Sequence, residues 1–394
     1  MGLLTNVKEN RFVNKLNWSV LSCHDKALAI AAESLIPNAS LYFLLFKFAG
    51  RNNLLSDRNM GIGNDSYYKY IENESGLVFE RCYINGSLLF DELKHLADIK
   101  AAVVFLVNTK YQKGARLEGK KDHPHFMVYK GYSEQGYHFI DEDWSKEYWR
   151  IKSTDTDVCY VERVIGFDEL EALACGISSC NVFPVDQSKK EKAGSPHFIY
   201  YKLVNSACKT CQLDSIQERF IETLSQYLET REEHYAYIIS EMGKFKQKLI
   251  ERRAETIKEV NSRLSPDEKE KDVAAMQAQE AAARKDQIFA IRSRFIYPYE
   301  SELIGAHEDF LRTISRLVEL RTNSFPEKNI WLNGAKEMLE QYEMIKLQIS
   351  RGVILADSSI IDRAMELFEN VFMKECVHYK LFLTSEWRLE EYQE

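Results

Sequence analysis

The pattern of hydrophobic and polar positions divides the chain into two halves. In the first half, short apolar runs alternate with turn-forming residues, whereas in the second half apolar residues recur at three- and four-residue spacing. The first pattern is typical of strands mixed with short helices, and the second is typical of amphipathic helices. We therefore predict an α+β fold, with one domain over residues 1–205 and an all-α helical domain over residues 206–394.

The clearest strand signal in the first half is the uninterrupted apolar run at residues 101–107. Such a run, rich in β-branched side chains, is typical of a strand that is buried on both faces. Helical spacing predicts short helices at residues 87–99 and 167–174, and a further strand is expected at residues 197–204. The polar, turn-rich residues 187–196 are predicted to form a surface loop or linker.

A hairpin is predicted from two strand-like runs, at residues 126–132 and 137–140, which are separated by a short polar segment containing Gly136. Pairing of these strands would bring His125, at the start of the first, close to Asp141, at the end of the second. Local geometry alone would then supply a carboxylate beside an imidazole, which is the arrangement that fixes a histidine tautomer.

The helical half contains several recognisable helix boundaries. Ser265 is placed as a capping residue, and Pro298 is expected to kink or end a helix. Another helix is predicted from residue 325 to residue 349, with Gly352 closing it. Ser358 or Ser359 is expected to cap a last helix.

The residue most suited to nucleophilic chemistry is Cys23, which lies just before the apolar segment 27–35. At the start of a helix, unpaired backbone N–H groups and the positive end of the dipole favour a thiolate. A single cysteine in such a place is more often a small buried residue. The predicted proximity of His125 and Asp141 changes this balance in favour of a Cys-His-Asp triad.

In that triad, Cys23 would attack an acyl carbonyl, His125 would take up and return a proton, and Asp141 would hold the imidazole. The order and spacing of the three residues match a papain-like layout. The tetrahedral oxyanion would need a donor besides the Cys23 backbone N–H, and Asn17 is the candidate.

Three neighbouring positions compete for roles in this site. His24 is expected to be a wall residue or a surface imidazole, because a helix would direct it away from Cys23. His123 would share a face with His125 in an extended strand, but the intervening proline favours His125. Asp143 lies farther than Asp141 from the hydrophobic strand, so Asp141 is preferred.

Length, net charge and pI limit the kinds of protein that this chain can be. The chain has 394 residues, a net charge of -8 and a sequence pI of about 5.8. This length favours two domains, and an acidic surface argues against nucleic-acid binding. The first residues lack the basic start and long apolar run of a signal peptide, and no segment reaches the length of a membrane span. We therefore expect a cytoplasmic protein.

Cysteine spacing gives no strong metal signal. The eight cysteines of this chain are expected to be reduced, since no export signal accompanies them. Cys208 and Cys211 form a CxxC pair, but a structural zinc site usually needs four ligands and no second pair follows. We predict no metal and no bound cofactor. The Gly61-x-Gly63 loop lacks the third glycine and the lysine of nucleotide-binding motifs.

Together, these features resemble a known family. Cys23 before a helix, the Gly61 loop, strand 101–107 leading to Asn108, the His125 strand and Asp141 at the end of its hairpin resemble the N-terminal domain of the butirosin-biosynthesis protein H acyltransferase family. That family is similar to papain-like double-glycine peptidases. Its two-part layout also matches the helical second half of this chain.

The resemblance implies a function in specialised, natural-product metabolism. Members of that family move an acyl group from the phosphopantetheine thioester of an acyl carrier protein, through an acyl-cysteine, to an amine of a small acceptor. A cysteine peptidase or amidase of the same fold and a non-catalytic binding module are the alternatives. We expect the helical half to cap the cleft, to bind a carrier protein or to form a homo-oligomer, and the sequence leaves these three open.

Overall fold

The computed structural model describes most of the chain in separate segments. These are residues 23–45, 65–114, 118–120, 122–142, 160–180, 187–205, 212–233, 235–244, 246–247, 304–355 and 357–390. The fold is α+β, with a six-stranded sheet in the first half and a helical region in the second. The predicted fold class is thus confirmed at this level. Ser265, Pro298, Gly61, Gly63 and the Cys208/Cys211 pair lie outside the described residues.

The strands of the sheet follow the apolar runs of the first half. They are β1 (Leu77–Asn85), β2 (Ala102–Asn108), β3 (Pro124–Ser133), β4 (Gly136–Glu142), β5 (Tyr160–Ile165) and β6 (His197–Asn205). The helices associated with them are α1 (Cys23–Glu33), α2 (Asp65–Ser75), α3 (Leu89–Asp98), α4 (Phe167–Cys175) and α5 (Gln187–Ala193), with helical residues also at 40–45.

The sheet has the strand order β1-β6-β2-β3-β4-β5, and each neighbouring pair is antiparallel. Strand β2 lies inside the sheet, and all of its residues are buried, as its apolar run predicted. The β3–β4 hairpin is also confirmed. Gly136 in its turn has a φ of +138°, and a Cβ there would lie 2.5 Å from the Ile165 carbonyl oxygen. Only glycine fits this close approach without strain.

Both faces of the sheet carry helices. One face packs against α3 and α4 and includes Phe105, Met127 and Phe139. Residues that alternate with these along the strands point to the opposite face. On that face, the His24 ring of α1 lies 4.4 Å from the Phe126 ring. The helix that begins with Cys23 is therefore held by burial against the centre of the sheet.

One prediction in the first half is wrong. Residues 187–193 form helix α5 and not a surface loop. The helix ends at Gly194, which adopts a φ of +76°. A glycine in this left-handed conformation is a common helix terminator.

The second half contains long amphipathic helices, as its periodicity predicted. They are α6 (Leu213–Glu229), α7 (Gly305–Arg321), α8 (Lys328–Leu355) and α9 (Ser358–Thr384), with further helical residues at 231–233, 235–244 and 246–247. None of the helices in the described part of the chain is both long enough and apolar enough to cross a membrane.

Two predicted boundaries in this half differ from the structure. Helix α8 continues through Gly352, where a Cβ would lie 2.6 Å from a side-chain carbon of Ile361. Gly352 therefore permits close packing between α8 and α9 and does not end the helix. The cap of α9 is Asp357, whose side chain accepts a hydrogen bond from the Ser359 N–H, and not Ser358 or Ser359.

Contacts divide the chain into two compact units. The first unit comprises residues 1–223, 320–323 and 388–394, and the second comprises residues 224–319 and 324–387. The division between residues 223 and 224 lies within α6, beyond the predicted boundary at residues 205 and 206. Two short segments from the second half of the chain, residues 320–323 and 388–394, thus belong to the first unit. A single boundary in the sequence therefore does not separate the two units.

Candidate active site

Cys23 is the first residue of α1, and its side chain is partly exposed. Its position follows from the burial of the helix behind it, where Ala27, Leu28 and Ile30 are almost completely inaccessible to solvent. The unsatisfied backbone N–H groups of the first turn lie at this end of the helix. Burial of this helix therefore holds the Cys23 thiol at its electropositive end.

His125 lies near the start of β3, where it pairs with Val107 of β2. Its residue surface is only 2% exposed. The ring Nε2 atom lies 2.6 Å from Asp141 Oδ1, and the Cys23 side chain is close enough to the ring to affect its charge. Because Nε2 is engaged by the carboxylate, Nδ1 is the ring nitrogen available to the thiol. His125 therefore connects Cys23 to Asp141.

Asp141 lies near the end of β4 and is 1% exposed. Its second oxygen, Oδ2, accepts a hydrogen bond of 2.6 Å from Gln112 Nε2. Arg163 of β5 forms an ion pair with the same oxygen, at 2.9 Å from its Nε atom. Each carboxylate oxygen thus has its own partners, which fixes the orientation of Asp141 toward His125.

Electrostatics favour an ionised His–Asp pair. Burial opposes the charged imidazolium, but the charge and hydrogen bond of Asp141, together with Cys23, outweigh it and raise the pKa of His125 to about 10. Burial likewise opposes ionisation of Asp141, yet His125, Arg163 and Gln112 hold the pKa of this carboxyl below its usual value.

The loop that precedes His125 is anchored by Asn108, which is completely buried at the end of β2. Its Oδ1 atom accepts hydrogen bonds from the backbone N–H groups of Lys110 and His123, at 3.1 and 3.2 Å. Its Nδ2 atom donates to Asp122 Oδ1 at 2.8 Å. These bonds hold both ends of the loop and thereby help to place the start of β3.

The structure brings together the three residues that the sequence proposed as a triad: Cys23, His125 and Asp141. His123 is exposed and precedes β3, so it takes no place beside Asp141. His24 is 1% exposed, so it is not a surface imidazole. Of the two roles predicted for it, only that of a wall residue remains.

Two other residues of the sequence-based prediction fall outside the described part of the chain. They are Asn17, the candidate oxyanion donor, and Asp143, the alternative carboxylate. The assignment of an oxyanion donor to Asn17 stays a prediction.

Two residues that contact Asp141 were missed by sequence reasoning. Gln112 lies in a polar loop, and Arg163 lies in a short strand with mixed polarity. A charged residue in an edge strand usually faces solvent. The contact follows from the pairing of β5 with β4, in which Arg163 is the cross-strand partner of Phe139 and so faces the same side as Asp141.

The other described cysteines have a different environment. Burial is the main cause that raises the pKa of Cys82, Cys175, Cys180 and Cys376, and nearby carboxylates add to it. The pKa reaches about 11 for Cys180 and for Cys376. Their thiols are therefore poor nucleophiles near neutral pH.

Within the described segments, no group of three or more His, Cys, Asp or Glu side chains is arranged to hold a metal ion. No protein-family model matches the chain, and no curated protein matches its sequence.

Proposed function

We propose that this protein is a cysteine-dependent acyltransferase with a papain-like catalytic domain. The observation that carries the proposal is the placement of His125 between the Cys23 thiol and the Asp141 carboxylate, 2.6 Å from the latter. A nucleophile, a base within hydrogen-bonding reach and a third group that orients the base are the elements of covalent catalysis. The resemblance to the butirosin protein H family supports the same assignment.

In the first half-reaction, the Cys23 thiolate attacks the carbonyl carbon of an acyl thioester. A bond forms between the cysteine sulfur and this carbon, and the carbonyl π electrons move to the oxygen. The Cys23 backbone N–H, with Asn17 as the proposed second donor, stabilises that oxyanion. Collapse breaks the bond to the donor sulfur, which leaves as a thiol with the proton of His125.

In the second half-reaction, an amine of a small acceptor attacks the acyl-Cys23 carbonyl. His125 takes the proton that the amine loses, and the carbon–sulfur bond breaks. The products are an amide and the original Cys23 thiolate beside a protonated His125. Atoms and charges therefore balance over the cycle without a redox partner.

The proton affinity of His125 favours a thioester over an amide as the acyl donor. The negative charge of Asp141 makes the imidazolium a weak acid. A weak acid assists poorly when the leaving group must be protonated to depart, as an amine must. A thiol is a much stronger acid than an amine, so the donor sulfur needs less help from His125 to depart than an amine would. We therefore propose the phosphopantetheine arm of an acyl carrier protein, or another thioester, as donor, in specialised metabolism.

A reducing compartment suits this chemistry, since the nucleophile must remain a thiol. The described cysteines, at positions 23, 82, 175, 180 and 376, form no disulfide with one another. We propose that the reaction takes place in the cytoplasm. The helical half would then serve the reaction as a cap, as a carrier-protein surface or as a homo-oligomer contact.

The decisive experiment measures acyl transfer to Cys23 itself. The protein and its Cys23→Ala variant are incubated with a panel of short-chain acyl thioesters, and intact mass is followed with time. We expect an adduct of one acyl group on the wild-type protein and none on the variant. Absence of a Cys23-dependent adduct with every thioester would contradict the proposal.

The fate of the adduct separates the transferase from a peptidase or amidase of the same fold. In water alone, a transferase should release the acyl group slowly, whereas added amines should accelerate its release and yield the amide. Rapid hydrolysis that amines do not change would instead assign a hydrolase. A non-catalytic binding module would form no adduct at all.

A further inference from the structure

The charge of Asp141 is shared between two cations, one at each carboxylate oxygen. His125 Nε2 lies 2.6 Å from Oδ1, and Arg163 Nε lies 2.9 Å from Oδ2. Gln112 adds a neutral hydrogen bond to Oδ2. Because the Asp141 side chain is fully buried and the Arg163 side chain is only 26% exposed, solvent screens these charges weakly. A fixed cation therefore acts on the same carboxylate that holds the catalytic imidazole.

The fold places Arg163 there by strand pairing. In β5, Arg163 is the partner of Phe139 in β4, and Val161 is the partner of Asp141. Side chains alternate along strands, so Arg163, Phe139 and Asp141 face the same side of the sheet. Arg163 thus extends along the strand to the carboxylate, and its register with β4 fixes this contact.

If the imidazole were the only partner of the Asp141 carboxylate, the proton affinity of His125 would be too high for proton transfer during the catalytic cycle. His125 has to keep its proton while Cys23 is a thiolate. It then has to release the proton to the donor sulfur as that sulfur departs. A second cation at the far oxygen neutralises part of the Asp141 charge and repels the imidazolium. Both effects weaken the hold on the proton, and charges at 4–6 Å change a neighbouring pKa by about 1–3 units.

We propose that Arg163 is a positioning residue for the acyl-transfer reaction, one that compensates the charge of Asp141 and so keeps the His125 proton transferable. This inference rests on the proposed function, since the site needs a transferable proton only if it turns over. The result is an alternating row of charges: Cys23 thiolate, His125 imidazolium, Asp141 carboxylate and Arg163 guanidinium. Its net charge is zero, which lowers the cost of burial.

Charged groups on the neighbouring helices have partners of their own. On the α4 side, Glu169 is 3.5 Å from Lys113, and on the α3 side, Glu92 accepts a hydrogen bond from Tyr200. In α1, Asp25 lies 4.0 Å from His24. The charge effects on His125 and Asp141 that are largest come from Cys23, Arg163 and each other.

Strands β3, β4 and β5 offer a matched control on the opposite face of the sheet. There, His138 Nδ1 lies 2.9 Å from Glu162, and Lys130 Nζ lies 2.7 Å from the other oxygen of that carboxylate. This group has the same composition of histidine, carboxylate and cation as the site. Lys130→Met therefore removes an equivalent cation from the same part of the sheet without changing the site.

The test compares alkylation of Cys23 by iodoacetate and by iodoacetamide across pH, with each modified cysteine quantified by peptide mass spectrometry. The anionic reagent is attracted by the imidazolium and the neutral one is not, so the ratio of their rates reports the charge of His125. In Arg163→Gln, we expect the pH at which this ratio falls to rise by about one unit. In Lys130→Met, it should equal the wild-type value.

Two further variants guard against a folding defect. Arg163→Lys retains the charge and should keep the midpoint within about 0.3 units of wild type, well below a charge-removal shift. Gln112→Glu adds an anion beside the same oxygen and should raise the midpoint, as Arg163→Gln does. Circular dichroism and thermal melting establish that each variant is folded. An unchanged or lowered midpoint in folded Arg163→Gln, or in folded Gln112→Glu if the former does not fold, would overturn the inference.

The alkylation readout is independent of any acyl donor. If no thioester forms an adduct on Cys23 but the midpoint still moves in Arg163→Gln, the charge compensation stands and the acyltransferase proposal fails. If an adduct forms and the midpoint does not move, the proposed function stands and Arg163 has no such role. The two claims are thus separated by two measurements on the same variants.

Discussion

The Nε2 atom of His125 lies 2.6 Å from the Oδ1 atom of Asp141, and both residues are almost completely buried. This contact fixes the orientation of the imidazole and leaves its other nitrogen for Cys23. It also joins the two ends of the β3–β4 hairpin, so the site and the hairpin are one structural element. Substitutions that disturb the hairpin should therefore change the reactivity of the site.

Replacing Asp141 by Asn removes the charge and keeps the shape. Without the carboxylate, the pKa of His125 should fall, so the imidazolium and the Cys23 thiolate should persist over a narrower pH range. We expect acyl-enzyme formation near neutral pH to slow by about 100-fold or more, which is the scale of a positioned proton transfer. Stopped-flow or quenched-flow mass measurements of the adduct provide the rate. A rate within twofold of wild type would contradict a role for the Asp141 charge.

The same substitution should change the pH dependence of stability. The pKa of Asp141 is lowered on folding, so its contribution is present above its ordinary value of about 4 and is lost as pH falls through the folded value. The pKa of His125 is raised, so its contribution is full below about 6.5 and is lost as pH rises through about 10. Stabilisation by the pair is therefore greatest between about pH 4 and 6.5.

Urea unfolding of wild type and Asp141→Asn at several pH values checks this window. We expect the wild-type protein to be more stable by about 3 kcal/mol near pH 6, which is the lower end of the cost of breaking a buried charge pair. The difference should shrink toward pH 10 and again in strong acid. A difference that does not vary with pH would show that packing, and not charge, is responsible.

The turn of the hairpin gives a second way to disturb the site. In Gly136→Ala, the new Cβ would lie 2.5 Å from the Ile165 carbonyl oxygen, at a φ that alanine rarely adopts. We expect a loss of about 2–4 kcal/mol in unfolding free energy from strain and overpacking combined.

Gly166→Ala is the matched control for this substitution. Gly166 directly follows β5, the strand that contains Ile165, and is the N-cap of α4. It has nothing within 4 Å of the new Cβ and adopts a φ of -70°. Its cost should stay below about 1 kcal/mol, as for an ordinary surface change. Thermal or urea unfolding compares the two variants. Equal losses in both would argue against the close approach at Gly136.

The second unit contains a buried polar network that should be important for stability. Glu375 is completely buried and accepts hydrogen bonds from Tyr342 and Tyr379, with the His307 Nδ1 atom at 3.1 Å. Glu375→Ala leaves these groups without their acceptor, so we expect a loss of about 3–5 kcal/mol. Glu366→Ala, on the exposed side of the same helix, should change stability by less than about 0.5 kcal/mol. A small loss in Glu375→Ala would mean that water replaces the carboxylate.

The hairpin and the contact between His125 and Asp141 could be predicted because they depend on local sequence. Alternation and a turn signal locate the hairpin, and the hairpin in turn brings His125 and Asp141 together. Gln112 and Arg163 were not predictable in this way, because their contacts depend on which strand lies beside β4 and in which register. Strand order is set by the whole sheet and leaves little trace in a short segment.

The wrong helix boundaries have a similar explanation. Gly352 has the properties of a helix terminator, but its role is to let Ile361 approach, and packing between two long helices outweighs the propensity of one residue. In residues 187–193, charged and polar side chains suggested a loop, although lysine and glutamate are good helix formers. Glycine at position 194 was the available signal for the end of that helix.

Site-resolved alkylation tests the central claim most directly, because it requires no knowledge of the substrate. Wild type and His125→Ala are treated with limiting iodoacetamide near pH 6, and each cysteine is quantified by peptide mass spectrometry. In wild type, Cys23 should react at least about 10-fold faster than Cys82, Cys175, Cys180 and Cys376, since a histidine partner activates a cysteine nucleophile and burial raises the pKa of the other four thiols. In His125→Ala, this preference should disappear. Uniform reaction of these five cysteines, or an unchanged Cys23 rate in His125→Ala, would contradict the account.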